Sequence, residues 1–351
     1  MAAAEAGAEG RGGLRALPIH TVGELIDMHI PEPDFVVGPP LALARGTVAE
    51  LDAYPKDGKT RLTLDAIWSV QHGLPFLDAA TQPVNVLYLT EEWLVTWRDA
   101  LNEAHLLDQN ADLHWMSLIA LQGREAGDWP TICGDLRLYC RANEIGLLVV
   151  DTLARWAGVA DENDAVAMAA AVLPLRLIAA DNIAVLFLRH DRKGGGQLGQ
   201  SGRGSSAATG EADQILHLQR KGGQGQMSLR QRELEGIGRL TGMTGKLVVE
   251  LESCGHFALV GSKSDVALER AEQFLAEVLP SCRDEAWTVK ELEGRFDGST
   301  STLNRAIEVL LKHGTITGQK GAGHAARSRG KRALGYWLPQ AEQQGFEFDD
   351  G

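Results

Sequence analysis

The sequence predicts an α/β protein, with a mainly parallel sheet, an antiparallel extension of that sheet and a smaller C-terminal unit. Three observations carry this reading. Apolar strand-like runs alternate with amphipathic stretches from about residue 40 to residue 190. Short runs with glycine-rich turns follow, without a long helix between them. Beyond Pro280 the pattern changes to two short helices and a strand. Strand and helix alternation requires crossovers, so the strands they join run parallel with helices on both faces. Short strands joined by glycine-rich turns pair as antiparallel hairpins.

Taken in order, residues 1–18 are rich in Ala, Gly and Glu without apolar periodicity and read as a flexible leader. Strands are expected at 47–54, 85–90, 114–120, 146–151 and 182–189, with helices at 60–71, 94–104, 129–143 and 164–180. The extension is expected at 213–219, 227–233, 247–251 and 256–260. A long helix at 264–279 meets Pro280, which helps to end it, and marks the domain junction. Helices at 288–295 and 301–313 and a strand at 333–338 then follow in an order that resembles a winged helix-turn-helix. The expected organisation is therefore a leader (1–18), a core (19–262), a connecting helix (263–282), a C-terminal unit (283–340) and an acidic tail (341–351).

Among the 351 residues, 44% are hydrophobic and 23% charged, a globular balance with enough apolar material for a sizeable core. No basic start followed by an apolar run and no long uninterrupted apolar stretch is present, so neither export nor membrane insertion is expected. Cys133, Cys140, Cys254 and Cys282 have no metal-site spacing and read as thiols of a reducing cytoplasm. A net charge of -13 argues against coating nucleic acid with the whole surface. Locally the balance reverses: from Lys312 to Arg332 every charged residue is basic, namely Lys312, Lys320, Arg327, Arg329, Lys331 and Arg332. Such a stretch can meet phosphates.

Residues 53–60 read Ala53, Tyr54, Pro55, Lys56, Asp57, Gly58, Lys59 and Thr60, between an expected strand and an expected helix that continues through Arg61. This is the second half of a phosphate-binding loop. Curved backbone amides face the phosphates, a lysine reaches their charge and a hydroxyl meets magnesium. Ala53 stands where the pattern has its first glycine, and alanine tolerates positive φ or close backbone approach less well. Asp57 is expected to point away from the phosphate, and Lys56 to add charge. The strand before and the helix after place a helix N-terminus at the anion. The expected ligands are ATP and Mg2+.

The apolar strand Leu147-Leu148-Val149-Val150-Asp151 ends in a carboxylate, as expected of an acid that holds magnesium through water. Asp151 lies roughly 90 residues beyond Lys59, and Asp151 with Thr60 forms the expected metal pair. The strand at 85–90 ends in Glu91 and Glu92 near the same sheet edge. One of them could polarise the attacking water, and strand alternation argues against both sharing that task.

These segments, together with Asp161-Glu162-Asn163-Asp164-Ala165, His190-Asp191-Arg192-Lys193 and Arg203-Gly204-Ser205-Ser206-Ala207, occur in an order that resembles the RepA-type helicases over roughly residues 35–260. These are plasmid and phage ATPases of the RecA superfamily that form ring hexamers and translocate on single-stranded DNA. The resemblance implies a RecA-like core in which Lys59 and Thr60 bind phosphate and magnesium, Glu92 is the catalytic glutamate and Asp151 the magnesium acid. It also implies that His190 is the sensor. The family often ends that strand with two histidines, and here the pair is Arg189-His190. Arg203 matches a position that could contact nucleotide or a neighbouring subunit, and Arg220 is the second candidate for that role. In the glycine-rich 191–202 segment, Arg192 and Lys193 are the implied contacts to DNA in a ring pore, with a plain linker as the other reading.

In the C-terminal unit, the 301–311 pattern buries one helix face and leaves Thr302, Asn304 and Arg305 for another surface. Arg305 would read DNA from a recognition helix, and Arg327, Arg329, Lys331 and Arg332 would lie on a wing against duplex phosphate. Winged helices also dock proteins. The expected function is an oligomeric, magnesium-dependent ATPase acting on DNA. The rival is a nucleotide-gated loader, initiator or defence-complex subunit with weak or no hydrolysis.

Overall fold

The computed structural model describes residues 19–107, 112–121, 128–162, 164–190, 210–220, 230–240, 246–323 and 333–339. Contacts divide the chain into two units, Met1–Asp34 and Phe35–Gly351. The first contains α1 (Val22–Asp27), opened by a capping box in which Thr21 and Glu24 satisfy each other's backbone N–H.

The second unit is built on a nine-stranded sheet. Its parallel part consists of β3 (Val48–Ala53), β4 (Asn85–Thr90), β5 (Leu113–Ser117), β6 (Ile145–Asp151), β7 (Ala184–His190) and β8 (Gln214–Gln219). The antiparallel extension consists of β9 (Gln231–Gly238), β10 (Lys246–Leu251) and β11 (Phe257–Ser262). The small strands β1 (Phe35–Val37) and β2 (Leu43–Ala44) pair separately. The order β11-β10-β9-β8-β3-β7-β6-β4-β5 puts β3 at the centre and one strand, β7, between β3 and β6. This is a RecA-like fold, and it is the sheet the sequence predicts.

Two apolar layers sandwich the sheet. On one face α2 (Lys59–His72) and α3 (Leu94–Glu103) pack Leu62, Ile67, Val70, Trp97 and Leu101 against alternate residues such as Leu51, Tyr88, Val149 and Leu186. On the other, α4 (Trp129–Ala142), the short α5 (Leu153–Trp156) and α6 (Ala165–Ala179) cover Val48, Leu87, Leu148, Val150 and Phe187. Caps set the helix starts. Asp128 accepts from the Thr131 N–H ahead of α4, and Asp164 from the Val166 and Ala167 N–H groups ahead of α6. The strand expected at 114–120 stops at Ser117 and becomes a 3-10 turn, Leu118–Leu121. The strand expected at 227–233 begins at Gln231, its first residues lying outside the described ones.

The long helix α7 (Lys263–Val278) starts at the Ser262 cap and packs Ala271 and Leu275 into a third cluster. Beyond it come β12 (Trp287–Thr288), α8 (Val289–Glu293), α9 (Thr300–Lys312), β13 (Thr317–Lys320) and β14 (Leu334–Trp337). In α9 the buried residues Leu303, Ala306, Ile307 and Leu310 follow the spacing of one helix face. The three strands form an antiparallel sheet in the order β12-β14-β13. Among the described residues, no helix is long and apolar enough to cross a membrane, and all four cysteines are free, with Cys133 and Cys140 buried.

Candidate phosphate-binding site

The loop between β3 and α2 has two left-handed residues, Lys56 with φ 71° and Gly58 with φ 102°. Ala53 has no positive φ and lies fully buried as the last residue of β3, so the first glycine of the usual pattern is not needed at this backbone. A Cβ at Gly58 would meet nothing within 4 Å, which leaves backbone handedness as the reason for glycine there. Tyr54 accepts the Asp57 N–H through its carbonyl, closing the turn at 3.1 Å. Pro55 and Lys56 are exposed on its outer side. Gly58 then caps α2, and its carbonyl accepts the Leu62 N–H at 2.9 Å.

Parallel pairing brings the ends of β3, β7, β6 and β4 to one edge, where the chemistry collects. Thr60 Oγ1 donates to Asp151 Oδ2 at 2.9 Å, and the buried Tyr88 hydroxyl donates to the same oxygen at 2.8 Å. Burial pushes the Asp151 carboxyl upward, while Tyr88, the Lys59 charge and Thr60 pull it down. A carboxylate and a hydroxyl side by side form a hard-oxygen donor set, which fits Mg2+. Lys59 is 6% exposed. Its ammonium is pushed below the usual lysine value by burial and held up by Asp151, Glu91, Glu162 and Glu92. The carboxylates favour the charged form of the lysine and so oppose its burial.

His190, at the end of β7, accepts from Lys59 Nζ at Nδ1, 2.7 Å away. Burial, then the Lys59 and Arg155 charges, push its ring to about 4, so it stands neutral and able to accept. Its other nitrogen lies 4.0 Å from Glu91. Glu91 also accepts from Thr152 Oγ1 at 3.2 Å and lies 3.5 Å from Arg155 Nε. The Glu92 N–H donates to Thr90 Oγ1, and the Glu92 charge bears on Asp151, Tyr88 and Lys59. Both carboxylates therefore stand beyond the end of β4. The roles of Tyr88, Thr152 and Arg155 were not readable in the sequence, because each depends on a neighbour from another strand.

Arg61 lies in the first turn of α2, but its guanidinium is committed elsewhere. Nε donates to the Gly255 carbonyl at 3.2 Å, Nη2 donates to the same oxygen, and Glu103 lies 3.8 Å away. Arg189, in the place of the first histidine, is buried in a charge cluster 3.0 Å from Glu50 and 3.8 Å from Asp52. His217 Nδ1 hydrogen-bonds the second carboxylate from β8. Arg305 is exposed on α9 beside Ser301, Asn304 and Glu308. Arg192, Lys193, Arg203, Arg327, Arg329, Lys331 and Arg332 lie outside the described residues.

Glu50 is fully buried, and neither of its oxygens has a hydrogen-bond partner among the described residues. Burial pushes its carboxyl up to about 7, against the pull of Arg189. A carboxyl raised from 4.5 takes up a proton on folding, so the stability it contributes is complete below pH 4.5 and lost as pH rises through about 7. His190 acts in the opposite sense, its contribution being complete above 6.5 and lost as pH falls through about 4. The difference in unfolding free energy between the parent and Glu50→Gln isolates the first effect. It is expected to change steadily in urea melts between about pH 5 and 8, favouring the parent most at the acid end. A difference independent of pH removes Glu50 as the source.

The strand order, the left-handed loop and the convergence of Lys59, Thr60 and Asp151 define a P-loop nucleotide-binding protein. The AAA domain family model matches residues 16–196, and the chain belongs to that family of nucleotide-dependent ATPase domains. A KaiC-like protein from the hyperthermophilic archaeon Pyrococcus horikoshii OT3 is similar in structure, with 11% identity and a TM-score of 0.46, over 65% of this chain and 95% of that one. No curated protein matches the sequence.

Proposed function

We propose that the chain is an oligomeric, magnesium-dependent ATPase of the RepA type that acts on DNA, as a translocase or as a remodeller in mobile-element replication or repair. The observation that carries this reading is the convergence of Lys59, Thr60, Asp151 and His190 at the end of the parallel sheet. Lys59 neutralises the terminal phosphate charge. Thr60 and Asp151 would hold Mg2+, which when bound offsets charge on the phosphate oxygens. Glu92 orients the attacking water, with Glu91 beside it. His190 shares a hydrogen bond with Lys59, and a change at the phosphate reaches the end of β7 through it. An arginine from an adjoining subunit, Arg203 or Arg220, completes the charge clamp.

The C-terminal unit is read as a winged helix. Ser301, Asn304 and Arg305 form the exposed face of α9 that enters a groove of duplex DNA, and the basic 324–332 segment follows the phosphates. Arg192 and Lys193 would meet single-stranded DNA within a ring, of which a hexamer is the proposed form. Steady-state ATPase measurements with and without single-stranded DNA test the motor. Turnover stimulated severalfold by DNA supports it, and tight ATP binding without turnover overturns it in favour of a nucleotide-gated loader, initiator or defence-complex subunit. One observation favours that second reading: Arg189, in place of a histidine, is committed to Glu50 and Asp52.

A further inference from the structure

The phosphate-binding loop is gripped from a direction that its own sequence does not reveal. Asp57, the residue before Gly58, is bound twice from the β8–β9 side of the sheet. Its side-chain Oδ2 accepts the backbone N–H of Arg220 at 3.1 Å. Its main-chain carbonyl accepts Nε of Arg232 at 2.8 Å. Arg220 follows β8, the strand paired with β3, and Arg232 is the second residue of β9. The end of β8 and the start of β9 thus hold one loop residue.

Arg232 is 5% exposed, and its Nη1 also donates to the Gln231 carbonyl at 2.8 Å. Burial and the neighbouring Arg220 charge lower its pKa, and Asp57 raises it. An arginine stays charged regardless, so a desolvated cation is spent on a main-chain carbonyl. What that bond controls follows from peptide planarity. The C=O of residue 57 and the N–H of residue 58 belong to one rigid plane and point in opposite directions. Holding the Asp57 carbonyl towards β9 turns the Gly58 N–H the other way. Gly58 is the amide at the mouth of α2, between two left-handed turns of the chain at Lys56 and Gly58 itself. A cation on the carbonyl also polarises the amide of the same peptide, strengthening it as a donor.

We propose that Arg232 is a positioning residue for nucleotide: by holding the Asp57 carbonyl it fixes the 57–58 peptide plane and presents the Gly58 N–H to phosphate. The proposal rests on reading 53–60 as the phosphate-binding loop. Ala53 leaves the start of this loop to strand pairing, and Arg232 sets the peptide at its other end.

The test is titration of the full-length protein with fluorescently labelled ADP, alongside the melting temperature without nucleotide. Arg232→Ala is expected to bind about tenfold more weakly, the loss of one charge-assisted hydrogen bond, with the fold retained and the melting temperature lowered by no more than about 5 °C. Guanidinium ion at millimolar concentration is expected to recover part of that affinity in the variant and none in the parent. Arg232→Lys, which keeps the charge and loses the planar Nε–H, is expected to fall between. Affinity of Arg232→Ala within about twofold of the parent overturns the proposal. So does a loss that follows a larger fall in melting temperature and is not rescued, which makes Arg232 a stabiliser alone. If Arg232→Ala does not fold, parent-like affinity of Arg232→Lys overturns it. Lys59→Ala, run in parallel, keeps the two readings apart: if it binds ADP like the parent, the phosphate-loop assignment itself has failed.

Discussion

Lys59→Ala is expected to weaken ATP and ADP binding by at least about a hundredfold and to abolish turnover, with the sheet still folded. The size follows from the surroundings of the ammonium. It is 6% exposed and its charge is coupled to Asp151, Glu91, Glu162 and Glu92, so without it a phosphate would approach carboxylates that had lost their buried counter-charge, with the more exposed Arg155 left beside Glu91. Folding is expected to survive, because removing Lys59 also removes its own burial cost. Nucleotide titration by fluorescence and a thermal melt measure the two halves separately. Parent-like binding with an intact fold would show that the loop is an ordinary turn.

Arg189→Ala is expected to destabilise the protein by about 3–5 kcal/mol, the cost of leaving buried charge without its partner. The residue is 6% exposed, and its loss leaves the fully buried Glu50 without its counter-charge and Asp52 with His217 as its partner. Urea unfolding gives the number, provided the transition is two-state. The triple variant Arg189→Met, Glu50→Gln, Asp52→Asn is expected to recover most of the loss, since it removes the charges together. A single variant as stable as the parent would mean that water reaches the cluster.

The parts of this protein that sequence made legible are those whose cause is local. The loop at 53–60 was visible because strand, turn and helix follow one another, and Asp151 because an apolar strand ends in an acid. Helix limits were readable to within a residue or two wherever a capping Asp128, Asp164, Ser262 or Ser299 stands at the start. The failures are non-local. Leu118–Leu121 continues an apolar run, and only the end of pairing with β4 turns it into a 3-10 turn. Ala53 departs from the glycine pattern in sequence, and its φ, set by pairing in β3, is what makes glycine unnecessary there. Arg61 looked like part of the loop because it is adjacent in sequence, yet its side chain serves the β10–β11 turn. Arg232 carries no motif at all, as its partner Asp57 lies 175 positions away.

The central place of β3 has a consequence during synthesis. Both of its neighbours are made long after it: Val48 waits for Val185 in β7, and Ala53 for Leu218 in β8. Until β7 has left the ribosome, roughly half-way along the chain, the nascent β3 has two unpaired edges, and one stays open until β8 follows; non-local pairing of this kind is slow. The loop at the end of β3 is therefore completed late, once β8 and β9 have docked and Arg220 and Arg232 reach Asp57.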